Sequence, residues 1–81
     1  MFSGMFIHPN PSTGIFNMSF LNPLVGKSEI AVYNVLGQKV YTETIENKQE
    51  HTLQLSSLSA GSYILKIANK DKIISKIIIK N

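Results

Sequence analysis

Over most of its length the chain alternates apolar and polar side chains with a period of two, the repeat of a strand with one buried face. In Ile15-Phe16-Asn17-Met18-Ser19-Phe20, the side chains of Phe16, Met18 and Phe20 fall on one side and Asn17 and Ser19 on the other. Glu29 to Val35 is rich in β-branched and aromatic residues, as is the return run Lys39 to Ile45. Between them, Val35-Leu36-Gly37-Gln38 predicts a tight hairpin turn in which Gly37 takes the positive φ. Thr52 to Leu55 predicts a short strand, and Ser62 to Ala68 places Tyr63, Leu65 and Ile67 on one face with Ile64 and Lys66 opposite. The loops fall at Asn22 to Ser28, Glu46 to His51 and Asn69 to Lys72. An opening strand around Phe2 to His8 and a closing one from Ile73 to Lys80 bring the number to about seven. No stretch reads as a helix of useful length, and no internal repeat is visible. The predicted fold is all-β, an immunoglobulin-like antiparallel β-sandwich with Greek-key connections, seven being the strand number of the constant type.

The closing strand carries the most information. Ile73, Ser75, Ile77 and Ile79 share one parity, and Ile74, Lys76, Ile78 and Lys80 share the other. The first set, richer in isoleucine, is expected to face the core, leaving an outer stripe of alternating isoleucine and lysine. Lysines on such a strand guard an edge against unwanted pairing. The same stripe also suits a partner that docks on it or adds a strand beside it.

Size and composition narrow the function. Eighty-one residues make one domain, which buries little more than ~60% of the surface of its unfolded form. The 43% hydrophobic content with 16% charge belongs to a folded unit. The absence of cysteine excludes disulfides and thiolate zinc sites and leaves the redox compartment open. No run approaches the ~20 apolar residues of a membrane-spanning helix, and no segment has the layout of a signal peptide. Met1 is compatible with a native or an introduced start, and an export signal would lie on another part of the polypeptide. The net charge of +3 comes entirely from lysine, without the arginine that nucleic-acid readers favour. Lys66, Lys70, Lys72, Lys76 and Lys80 crowd the C-terminal third, opposed only by Asp71.

Two turns have definite chemistry. Pro9-Asn10-Pro11-Ser12-Thr13-Gly14 predicts a rigid corner that passes the chain from one sheet to the other, with Asn10 capping its own turn. One glycine without a following helix makes a poor phosphate cradle. Leu58-Ser59-Ala60-Gly61-Ser62-Tyr63 places a tyrosine after a glycine-bearing bend at the start of a late strand. That is the pattern of a tyrosine corner, whose hydroxyl bonds the backbone a few residues upstream. Catalytic candidates are weak. His8 and His51 have no cysteine and a single aspartate to join them in a metal site, and Tyr63 has no base or nucleophile beside it. Asn17-Met18-Ser19 matches a glycosylation sequon but lies inside a strand. The sequence calls for no enzyme activity, cofactor or metal.

Taken in order, four segments carry a resemblance: Pro9 to Gly14, Ile30 to Val40, Leu58 to Ile67, and Lys76 to Lys80. Together, from about His8 to the end, they resemble the type A C-terminal sorting domain of the type IX (Por) secretion system of Bacteroidetes. His8 departs from the tyrosine usual before the Pro-Asn-Pro turn. The resemblance divides the chain into residues 1–7, an opening strand or linker, and residues 8–81, the sorting domain. It implies a non-catalytic signal at the C-terminus of a larger secreted protein. That cargo passes through the periplasm and leaves through an outer-membrane translocon for the cell surface or the medium. The implied partners are a shuttle protein, the translocon and a cell-surface sortase that typically removes the domain, with no nucleic acid and no direct membrane span. Carried over by position, Pro9, Asn10, Pro11, Gly14, Gly37, Gly61 and Tyr63 are mainly structural. Lys76, Ile78 and Lys80 are the expected recognition residues.

Two rivals compete. A fibronectin-like accessory or carbohydrate-binding module would use aromatic residues on a sheet face, here Tyr33 and Tyr41 facing each other across the hairpin. A lysine-rich module adhering to anionic lipopolysaccharide would lose its binding at high salt. An exposed edge strand also permits edge-paired dimers of the isolated domain.

Overall fold

The computed structural model of the protein describes residues 4–21, 25–47, 49–70 and 72–81. Their seven strands are β1 (Met5–His8), β2 (Ile15–Phe20), β3 (Lys27–Tyr33), β4 (Lys39–Glu46), β5 (Glu50–Gln54), β6 (Gly61–Asn69) and β7 (Lys72–Lys80). The opening strand therefore begins at Met5, and Phe2 lies outside the described residues, as do part of the predicted Asn22–Ser28 loop and Asp71 of the last turn. All pairings between these strands are antiparallel, in a three-stranded sheet β1-β2-β5 and a four-stranded sheet β4-β3-β6-β7.

The two sheets enclose one core. Phe16, Met18 and Phe20 of β2 and Leu53 of β5 meet Ile30 and Val32 of β3 and Tyr63, Leu65 and Ile67 of β6. These are the rows that the period-two pattern selects. The fourth strand departs from a constant-type sandwich, in which it would lie beside the fifth. Here β4 stays hairpinned to β3, because the turn Asn34–Gln38 is too tight to release it. Asn34 Oδ1 accepts from the backbone N–H groups of Leu36 and Gln38, and Gly37 takes φ +82°. The register slips between Val32 and Tyr33, so that Val32 pairs with Tyr41 and Tyr33 with Lys39. Tyr33 and Tyr41 therefore do not face each other, and the aromatic platform expected of a carbohydrate module is not formed.

The tyrosine corner is present. Tyr63 is buried at the start of β6, and its hydroxyl donates to the carbonyl of Ser59 at 2.6 Å. This bond fixes the β5–β6 connection, where the chain crosses between sheets. At the other end of β6, the Asn69 amide donates to Ser28 Oγ at 2.6 Å and ties β6 to the start of β3.

A latched terminal strand as candidate docking surface

β7 is an edge of the four-stranded sheet, and its faces are the reverse of those expected from its composition. Ile74 and Ile78 point into the core, 7% and 0% exposed. Ile73, Ile77 and Ile79 point outward at 65%, 67% and 41%. The register with β6 decides this, since Ile78 pairs with the buried Tyr63 and Ile74 with the buried Ile67. The expectation that Ile73, Ile77 and Ile79 hold the sandwich is therefore corrected. Ile78 is a core residue, out of reach of a docking partner while the domain is folded. Lys76 shares the inward parity, opposite Leu65, yet is exposed, because an edge strand lets a long side chain pass over the rim into water. Lys80 is half-buried opposite Gly61.

The corner Pro9–Gly14 also differs from expectation. It joins β1 to β2 within one sheet and reaches across the sandwich to the free side of β7. The Asn10 amide donates to the carbonyl of Ile77 at 3.1 Å, and its Oδ1 accepts from the N–H of Ile79 at 2.9 Å. The Ser12 N–H donates to the carbonyl of Ile79 at 3.0 Å, and the Asn81 N–H to that of Ser12 at 2.8 Å. Asn10 thus imitates a neighbouring strand instead of capping its own turn. Pro9 and Pro11 follow cis peptide bonds on either side of it. Ser12 is buried, with Oγ donating to the carbonyl of Ile15 and accepting from the N–H of Gly14. The first motif is therefore a latch on the last strand. Asn10→Ala should cost about 1–2 kcal/mol through its two lost bonds. Amide exchange at Ile79 should then accelerate well before that of Leu65.

On the outer face of the four-stranded sheet, Ile77 lies beside Ile64, which lies beside Tyr33. Ile79 shares the outward parity, Ile73 lies beyond Ser75, and the turn residues Val35 and Leu36 are exposed as well. A groove of about 270 Å³ between the hairpin turn and β7 is lined by Asn34, Val35, Ser62, Tyr63, Ile64 and Ile77. Solitary exposed isoleucines are ordinary, but the grouping of Ile64, Ile77 and Ile79 on one face marks an interaction surface, with Ile73 set apart across Ser75 and Lys66.

The remaining polar chemistry fastens the opposite flank. Glu43 Oε1 of β4 accepts from the Tyr41 hydroxyl at 2.6 Å and lies 3.0 Å from His51 Nε2 of β5, joining the two sheets. Burial, the hydrogen bond to Glu43 and the charge of that carboxylate together push the Tyr41 hydroxyl up to about 12. Because this lies above the ordinary value of ~10, the contribution to stability is complete below pH ~10 and is lost as pH rises through the folded value. Alkaline spectrophotometric titration should show a tyrosinate step near pH 12 that disappears in Tyr41→Phe. His8 lies on β1 opposite Asn17, and both line a shallow polar depression of about 230 Å³ with Ser19, Glu50, His51 and Thr52. Among the described residues, no three acidic or histidine side chains are grouped to hold a metal ion, and no helix is long and apolar enough to cross a membrane.

Sequence reasoning missed the outward apolar row because isoleucine occupies both parities of β7. A signal was available in the β6–β7 hairpin. With Asn69 paired to Lys72, odd positions of β6 lie opposite even positions of β7. The plain alternation of Tyr63, Leu65 and Ile67 therefore assigns Ile74 and Ile78 to the core.

No curated protein matches the chain. The family described as the secretion system C-terminal sorting domain matches residues 6–80, which take in the latch, the tyrosine corner and the whole of β7. The chain belongs to this family of type IX secretion sorting domains.

Proposed function

We propose that the domain is the export address of a cargo joined to its N-terminal side, and that the secretion machinery reads it on β7. As a sorting signal it is a non-catalytic tag for a protein destined for the cell surface or the medium. In this reading the cargo waits in the periplasm, and a shuttle protein and the outer-membrane translocon receive the folded sandwich. A sortase then cuts the flank before β1, contributing all the catalytic groups itself.

One observation carries the reading. The strand closing the sandwich turns three isoleucines to solvent while the first motif clamps its end. Clamping holds the row in a fixed register, and a preorganised surface binds with less ordering cost. Lys76 and Lys80 flank the row and supply positive charge that orients an approaching partner. Ile78 acts indirectly, by seating the strand. A red fluorescent protein carrying this domain at its C-terminus, expressed in a type IX-competent bacterium, tests the role. Fluorescence should appear at the surface or in the medium, and the released reporter should have lost the mass of the domain. Retention of the fusion inside the cell, with the domain folded, contradicts the role. Release of the intact fusion contradicts only the cleavage step.

A further inference from the structure

The latch covers only half of the β7 edge. In an antiparallel pair, residues alternate between bonding their neighbour and pointing both backbone groups away. Ile77 and Ile79 bond Asn10 and Ser12 on the free side, so Ile73 and Ser75, of the same parity, also point away from β6. Among the described residues, nothing bonds the N–H or C=O of Ile73 or Ser75. The other long edge, β4, is broken by its register slip beside Tyr33 and fastened through Glu43. Proteins blunt their edges in these ways, and β7 is blunted at one end only.

Resting on the sorting role, we propose that the first half of β7, Lys72–Lys76, receives an extended acidic segment of the export machinery as a fifth strand of the sheet. The open stretch offers both backbone groups of Ile73 and of Ser75, and the latch at Asn10 stops the added strand and fixes its register. Side chains of that segment opposite Ile73 and Ser75 lie on the outer face, next to the exposed Ile77 at the edge of the latch. One opposite Lys76 reaches the rim. The complementary segment therefore alternates apolar residues with acidic ones. Charge argues against a second copy of this chain as the occupant. Lys66, Lys72 and Lys76 lie on or beside the open stretch, with Lys70 and Lys80 at the ends of the same hairpin, and two copies would bring these sets together.

Ser75→Pro tests the edge directly, because it removes an N–H that the sheet does not use, and proline is tolerated on the solvent side of an edge strand. Ser75→Ala keeps that N–H. With the wild-type reporter fusion exported, Ser75→Ala should be exported normally and Ser75→Pro reduced by about tenfold or more, with the melting transition retained. Equal export of folded Ser75→Pro overturns the edge assignment and leaves the sorting role standing. Retention of the wild-type fusion overturns both. Should Ser75→Pro fail to fold, Lys76→Glu decides: reduced export supports the acidic partner, and unchanged export refutes it. Sedimentation of the isolated domain should show a monomer. A dimer that Ser75→Pro dissociates would assign the edge to a second copy instead.

Discussion

Replacing Ile78 with alanine should cost about 2–5 kcal/mol, whereas the same change at Ile77 should cost under about 1 kcal/mol. Ile78 is fully enclosed, and its side chain lies beside Tyr63, the residue that fixes the β5–β6 crossover. Deleting three carbons there removes apolar burial and leaves a cavity beside the corner. An 81-residue domain has only about 4–12 kcal/mol of stability in total. The Ile78 variant should therefore melt at least ~10 °C lower and unfold partly at ambient temperature. Ile77 loses mainly contacts that face water. Thermal melts of the two variants, one residue apart, measure the direction of the strand. Equal losses would refute the assignment of faces.

Gly14→Ala should destabilise the domain by about 2–5 kcal/mol, a large effect for one methyl group. Gly14 has φ +149°, and a Cβ there would meet Ser56 Oγ at 2.7 Å and Ser56 Cα at 2.8 Å. The serine hydroxyl can rotate away, but the Cα belongs to backbone held by the Leu55 N–H bond to the Gly14 carbonyl at 2.7 Å. Relief requires the β1–β2 corner to move, and that corner carries Asn10 and Ser12 onto β7. Gly37→Ala is the natural comparison. Gly37 also has positive φ, yet open space surrounds it, so the cost should be limited to about 1 kcal/mol of backbone strain. Denaturant midpoints of the two variants should differ accordingly, and amide exchange at Ile79 should rise in Gly14→Ala alone.

These two positions also show what the sequence made legible. Alternation located the strands, because a half-buried sheet imposes period two on every segment that crosses it. The Asn34–Gln38 turn and the tyrosine corner were readable because their geometry depends on residues close together in the chain. The face of β7 was not read from its composition. Both parities are apolar, and the decision lies in a pairing with β6 that overrides local content. Nor does local sequence reveal that Asn10 acts on residues 67 and 69 positions away. Its amide is suited equally to capping its own turn and to completing a distant edge, and only the closed sandwich distinguishes the two. Truncation is consequently a poor probe of the docking strip. Deleting residues 76–81 would remove Ile78 from the core and the partners of the latch together, so that lost export would report unfolding.

The most direct measurement keeps the fold and changes only the outward row. Ile73, Ile77 and Ile79 are replaced together by serine in the reporter fusion, and extracellular fluorescence is compared with the wild-type fusion. The melting transition of each purified domain is measured in parallel. The triple variant should fold and its export should fall by about tenfold or more, as expected when the contact area of a docking strip is lost. A folded triple variant exported as well as the wild type would contradict recognition through the outer face of β7.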